Sequence, residues 1–226
     1  MVVSVLLILT ALLFSSVIFD VKGSFETLDG QLRGLTADTA QLDMLLRDYG
    51  GDALPIRAKL RAYLATEIVA TWPDEARPPD VDPTFQDNAG IARTPPAKAL
   101  AEVDSAIGKL EPTDPTRRQL AALLKSKMSE TLNQRRLVID ADHDQISWPL
   151  LAGAIAWLSI VFGGLGFLAP RKFAAQTAVV FGALTYASAI YLIIDFDKPF
   201  DGAIRVSSAP ARDMLRSLDG SVAVPP

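Results

Sequence analysis

Three stretches of this chain carry no Asp, Glu, Lys or Arg, and they constrain its fold more than any other feature. Met1 to Phe19 precedes the first charge, Asp20; a second run lies between Asp144 and Arg171, and a third between Lys172 and Asp195. A helix rises about 1.5 Å per residue, so roughly 18 to 25 residues cross a hydrocarbon core of about 30 Å. One charge at the bilayer centre costs about 2.5–3.5 kcal/mol on insertion scales, so runs of this length point to lipid as their solvent. The sequence predicts an all-α integral membrane protein with three transmembrane helices, Val2–Phe19, Trp148–Ala169 and Phe173–Ile194. A helical extramembrane domain separates the first two. The expected division is 1–20 for the first span, 21–145 for the helical domain with a Pro-rich loop at 73–96, 146–170 and 173–194 for the later spans, and 195–226 for a C-terminal tail.

Only Pro170, Arg171 and Lys172 join the last two spans, which calls for a tight antiparallel pair. The first run reads as an uncleaved anchor: Met1-Val2-Val3-Ser4-Val5 has no basic start, and Val17-Ile18-Phe19 is too bulky for a signal-peptidase site. Basic residues near span ends bear on orientation. The hairpin holds Arg171 and Lys172, whereas Lys22, Arg33, Lys127, Arg135, Arg136, Lys198, Arg205, Arg212 and Arg216 lie on the other side. The larger number places the helical domain and tail in the cytoplasm.

Beyond Asp20 the helical pattern continues. Phe25, Leu28, Leu32, Leu35, Thr39, Leu42, Leu46 and Tyr49 alternate spacings of three and four, so the first span is expected to run on as one long helix. Its stripe can pack against helices of the same chain or against copies of itself. Gly50-Gly51 should end the helix, and Asp52 with Pro55 should open the next, whose apolar face comprises Ile56, Leu60, Tyr63, Leu64, Ile68 and Trp72. Six prolines between Pro73 and Pro96 predict an irregular loop. A helix over about 97–110 and a longer one after the cap Thr113-Asp114-Pro115 complete the domain.

Absent residue types limit the chemistry. Zero Cys removes disulfides, thiolate metal sites and cysteine nucleophiles, and one His, His143, leaves no Ser/His/Asp arrangement to expect. Net charge −4 without a basic stripe argues against nucleic acid as a partner. No cofactor and no enzymatic activity are expected. No span contains an Asp, Glu, Lys, Arg or His side chain, which disfavours a proton-coupled transporter but suits a pore gated by apolar constriction, with Phe14 and Ile18 as pore-lining candidates. Asp195, Asp197 and Asp201 follow the third span around Pro199 and Gly202; they are candidate cation ligands or an ion-selecting ring, or else simply cap a turn. Asp140, Asp142, His143 and Asp144 form a second acidic group before the second span, read mainly as a solvated collar. Gly163, Gly164 and Gly166, with Gly182 and neighbouring alanines, would let the last two spans approach closely.

The stretch Phe162-Gly163-Gly164-Leu165-Gly166-Phe167-Leu168-Ala169-Pro170-Arg171 resembles the Phe-x-x-x-Gly-Leu-x-Ala-Pro-Arg signature of the bestrophin-like domain family of bacterial membrane proteins. Asp197-Lys198-Pro199-Phe200-Asp201-Gly202-Ala203-Ile204-Arg205-Val206-Ser207-Ser208-Ala209-Pro210 is similar to the family's acid-x-Pro-Phe-x-Gly-x-Ile-x-x-Ser-Ser-x-Pro. Leu42-Asp43 through Tyr49-Gly50, Leu60-Arg61 and Trp72-Pro73 fit the same pattern. The resemblance implies a multi-pass protein of the bacterial inner membrane, distantly similar to the pentameric bestrophin anion channels. Family members have two spans before a cytoplasmic helical domain and two after it; the first span here aligns with the family's second, so the usual leading span is missing. By that analogy the first span lines a pore and the acidic turn lies near an ion-sensing region. The leading expectation is a homo-oligomeric ion channel in the lipid bilayer. The alternative is a non-catalytic, membrane-anchored structural or accessory subunit of a larger complex.

Overall fold

The computed structural model describes residues 2–78, 81, 94–112, 114–143, 148–168, 170, 172–196, 198–200, 202 and 204–220. Among them all regular structure is helical: α1 (Val2–Tyr49), α2 (Leu54–Thr71), α3 (Thr94–Gly108), α4 (Pro115–His143), α5 (Trp148–Leu168), α6 (Phe173–Phe196) and α7 (Ala209–Gly220), with one 3₁₀ turn at Gly51–Ala53.

Local sequence explains where the helices stop. α1 runs unbroken, as its three-and-four spacing predicts, until Gly50 adopts φ 101°, a conformation open to glycine and costly for other residues. Pro55 falls in the first turn of α2, where its missing N–H would have had no partner. Trp72 ends α2 because Pro73 disfavours helical geometry in the residue before it. Asp114 Oδ1 accepts the amide N–H of Arg117 at 2.8 Å, capping α4. Residues 144–147, between α4 and α5, lie outside those described.

The chain divides into two units, and α1 contributes to both. The first comprises Met1–Glu26 and Asp144–Arg205, the second Thr27–His143 and Val206–Pro226. In the first unit Phe14, Val21, Leu151, Leu158 and Ile193 form the core. Phe14 meets Tyr186 edge-on at 5.3 Å, Phe25 meets Phe196 likewise at 5.4 Å, and the Trp157 indole N–H donates to Thr10 Oγ1 at 3.0 Å. Ile8, Leu12, Phe19, Phe167, Phe181 and Tyr191 point outward instead. Two helices, α1 and α6, are long and apolar enough to cross a membrane; the apolar stretch in α5, Leu151–Phe167, is shorter. Of the glycines expected to bring α5 and α6 together, only Gly182 is in contact: a Cβ there would lie 3.1 Å from the Phe162 ring. At Gly163, Gly164 and Gly166 a Cβ would meet only open space.

The second unit is a helical bundle. Leu42, Leu46 and Tyr49 of α1 pack with Ile56, Leu60 and Tyr63 of α2, Leu100, Val103 and Ile107 of α3, and Ala121, Leu124 and Met128 of α4. The α1 stripe from Leu28 to Tyr49 is therefore buried within its own chain. Polar pairs fix how the helices are set: Lys127 Nζ donates to Asp38 at 2.6 Å and Gln134 Nε2 to the Gln31 carbonyl at 3.1 Å, so α4 runs antiparallel to α1. Inside the segment expected as a tail, α7 buries Ala211, Met214, Leu215 and Leu218 and packs on α2.

Candidate functional site

Asp195 is committed to the turn after α6. Its carbonyl accepts the Lys198 N–H at 3.1 Å, the Lys198 carbonyl accepts Gly202 N–H at 3.0 Å, and its carboxylate Oδ2 accepts Ile204 N–H at 3.0 Å. A Cβ on Gly202 would sit 2.8 Å from the Asp195 carbonyl oxygen, so the turn closes only around glycine. Asp197 and Asp201 lie outside the described residues, as do Asp144 and the side chains of Asp142 and His143. Among the described residues no group of three or more acidic, His or Cys side chains could hold a metal ion. Of the pore-lining candidates, Phe14 is buried against Tyr186, whereas Ile18 is 40% exposed.

The polar groups that sequence reasoning did not single out lie inside the second unit. Asp43, 1% exposed on α1, accepts hydrogen bonds from Arg57 Nε of α2 and from Arg47 Nε one turn along α1, both at 2.7 Å. Two cations thus share one buried carboxylate. Nearby on α2, Tyr63, Glu67 and Thr71 recur every fourth residue and form a polar line down a helix whose second half is buried on all sides save at Thr66. No hydrogen bond reaches the Tyr63 hydroxyl, either Glu67 oxygen or Thr71 Oγ1. Arg135 of α4, also buried, holds its Nε 3.6 Å from Glu67 Oε2, an ion-pair separation too long for a hydrogen bond. Burial pushes the Glu67 carboxyl up to about 7, and Arg135 pulls against that without cancelling it. Burial also drives the Tyr63 phenol well above its usual range, with the Glu67 charge adding to the effect. The signal was present in the sequence as Tyr, Glu and Thr at helical spacing. What was missing was that this helix is surrounded.

A third polar junction ties the end of α2 to the start of α7. The Trp72 indole N–H donates to the Val206 carbonyl at 2.9 Å, and Glu75 accepts from Arg212 Nε at 3.0 Å and from the Ser208 hydroxyl. Trp72→Phe is expected to cost about 1–3 kcal/mol, since it strands a buried carbonyl. Denaturant unfolding in detergent would measure the cost, and amide exchange should speed up across α7.

These features define an all-helical protein with an apolar unit and a polar, internally braced helical bundle. The chain belongs to the bestrophin-like domain family, whose model matches residues 1–211. No curated protein and no solved structure matches it. The family and the two long apolar helices together point to a membrane location. The residues that carried the resemblance prove structurally occupied: Asp43 binds two arginines, Trp72 reaches Val206, Gly202 lets the turn after α6 close, and Ser208 reaches Glu75.

Proposed function

We propose that this protein is a homo-oligomeric, bestrophin-like ion channel of the bacterial inner membrane, with α1, α5 and α6 as its three spans and no enzymatic activity. The observation that carries the reading is the family match across residues 1–211. The outward apolar residues of the first unit supply surface for lipid and for neighbouring copies. Ile18, being exposed, is the better constriction residue; Phe14 backs it from inside the protomer against Tyr186. The helical domain and α7 lie on the cytoplasmic side, following the excess of basic residues there.

Liposomes containing the purified protein should leak anions, and Ile18→Ala should change the leak rate more than a substitution on the outer face of α6 such as Phe181→Ala. Absence of flux over a range of ions would contradict the channel reading. Co-purification as a monomer in fixed ratio with another membrane protein would instead support an accessory subunit.

A further inference from the structure

We propose that Glu67 is a proton-binding site inside the helical bundle, and that proton uptake there weakens the contact between Glu67 of α2 and Arg135 of α4. The inference goes beyond channel activity and stands whether or not the protein conducts.

The geometry carries it. Glu67 lies in the half of α2 that is buried save at Thr66, flanked one turn each way by Tyr63 and Thr71, and neither of its oxygens receives a hydrogen bond. A buried carboxylate is stable only when paired and hydrogen-bonded. Here it has the pairing without the hydrogen bond: Arg135 Nε stands 3.6 Å away. A proton on Glu67 removes the desolvated charge and gives its hydroxyl a chance to bond to the Tyr63 or Thr71 oxygen, both of which lack partners.

Other ionisable groups on the elements packed against α2 do not compete for this role. On α3, Lys98, Glu102 and Asp104 are exposed. On α7, Asp213 and Arg216 are exposed and paired with each other, and Arg212 is held by Glu75. On α1, Asp43 is closed by Arg47 and Arg57, and on α4 Lys127 is held by Asp38 and Glu130. Of the charges around Glu67, Arg135 is the one that acts on it, and burial outweighs it. With the proton off, the carboxylate attracts Arg135 across the bundle; with the proton on, that attraction is gone. The switch is a charge change in a confined, low-dielectric place, and so it is felt by both helices.

The test is an infrared titration of the full-length protein in detergent from about pH 5 to about pH 9, a range bracketing the shifted carboxyl. The expected result is a protonated-carboxyl band that fades with a midpoint near 7 and is missing in Glu67→Gln. Arg135→Gln provides an independent arm, because it retains the carboxyl and removes the opposing cation; its midpoint should move upward. Amide exchange, corrected for its intrinsic pH dependence, should change in α4 around Arg135 across the midpoint in wild type and not in Glu67→Gln. Superimposable titrations of wild type and Glu67→Gln, or an unmoved midpoint in Arg135→Gln, would overturn the site. Exchange in α4 that ignores the midpoint would overturn the coupling.

Discussion

Asp43→Ala is expected to be the most damaging single substitution in the helical bundle, lowering stability by about 3–5 kcal/mol. The magnitude follows from what remains rather than from what is lost. Arg57 is 7% exposed and points its Nε at Asp43 from 2.7 Å; without the carboxylate its buried charge loses that acid partner. Arg47 lies nearer solvent and can rehydrate, so Arg47→Ala should cost far less, within about 1 kcal/mol, as expected for a pair with one exposed partner. Denaturant unfolding of both variants in detergent, followed by far-ultraviolet circular dichroism, would separate them. Equal losses would mean that Asp43 is not the keystone of this trio.

The second large effect depends on pH. The Glu67 carboxyl titrates near 7 in the folded protein against 4.5 as its ordinary value. The folded state therefore binds more protons than the unfolded state between those limits. Stability must fall as pH rises through that window and stay reduced above it. The shift corresponds to a burden on the order of 3 kcal/mol at pH values above both limits. Glu67→Gln keeps the shape but cannot ionise, so its advantage over wild type should grow from near zero in acid to roughly that amount at alkaline pH. Unfolding free energies of both proteins across the range would check this. A difference that is flat with pH would show that folding does not shift the Glu67 carboxyl.

Much of the fold follows from the sequence because the relevant signals are local. The alternating spacing from Phe25 to Tyr49 sets the length of α1, Gly50 stops it, and Pro55, Pro73 and Asp114 delimit the helices after it. Which partner the α1 stripe meets is not local: both an intrachain and an interchain bundle fit the pattern, and the structure fills it with α2, α3 and α4. α7 escaped notice because it is only 12 residues long, yet Ala211, Met214, Leu215 and Leu218 have the spacing of a helix face. The glycines of α5 misled for the opposite reason. A small residue permits close approach but does not cause it, and nothing in the chain lies within 4 Å of a Cβ placed at Gly163, Gly164 or Gly166. Glu67 shows the clearest limit. A carboxylate amid apolar residues is visible in sequence, but its chemistry arises from being enclosed on every side, which is a property of the bundle and not of α2.

Asp195 and Gly202, in the turn after α6, show how residues of one motif can be both recognisable and structural. Asp195 caps an amide and Gly202 lets the chain pass within reach of the Asp195 carbonyl, so both residues are explained by turn geometry. Family resemblance in such a segment identifies the fold.

The proposed channel depends most on the bilayer crossings by α5 and α6, and the absence of cysteine makes a direct test clean. Single cysteines introduced as Lys125→Cys in α4, Lys172→Cys in the hairpin and Arg216→Cys in α7 all replace exposed residues. Labelled in sealed, oriented vesicles with an impermeant maleimide, Lys125→Cys and Arg216→Cys should react from one side and Lys172→Cys from the other. Labelling of all three from the same face would contradict the crossings by α5 and α6.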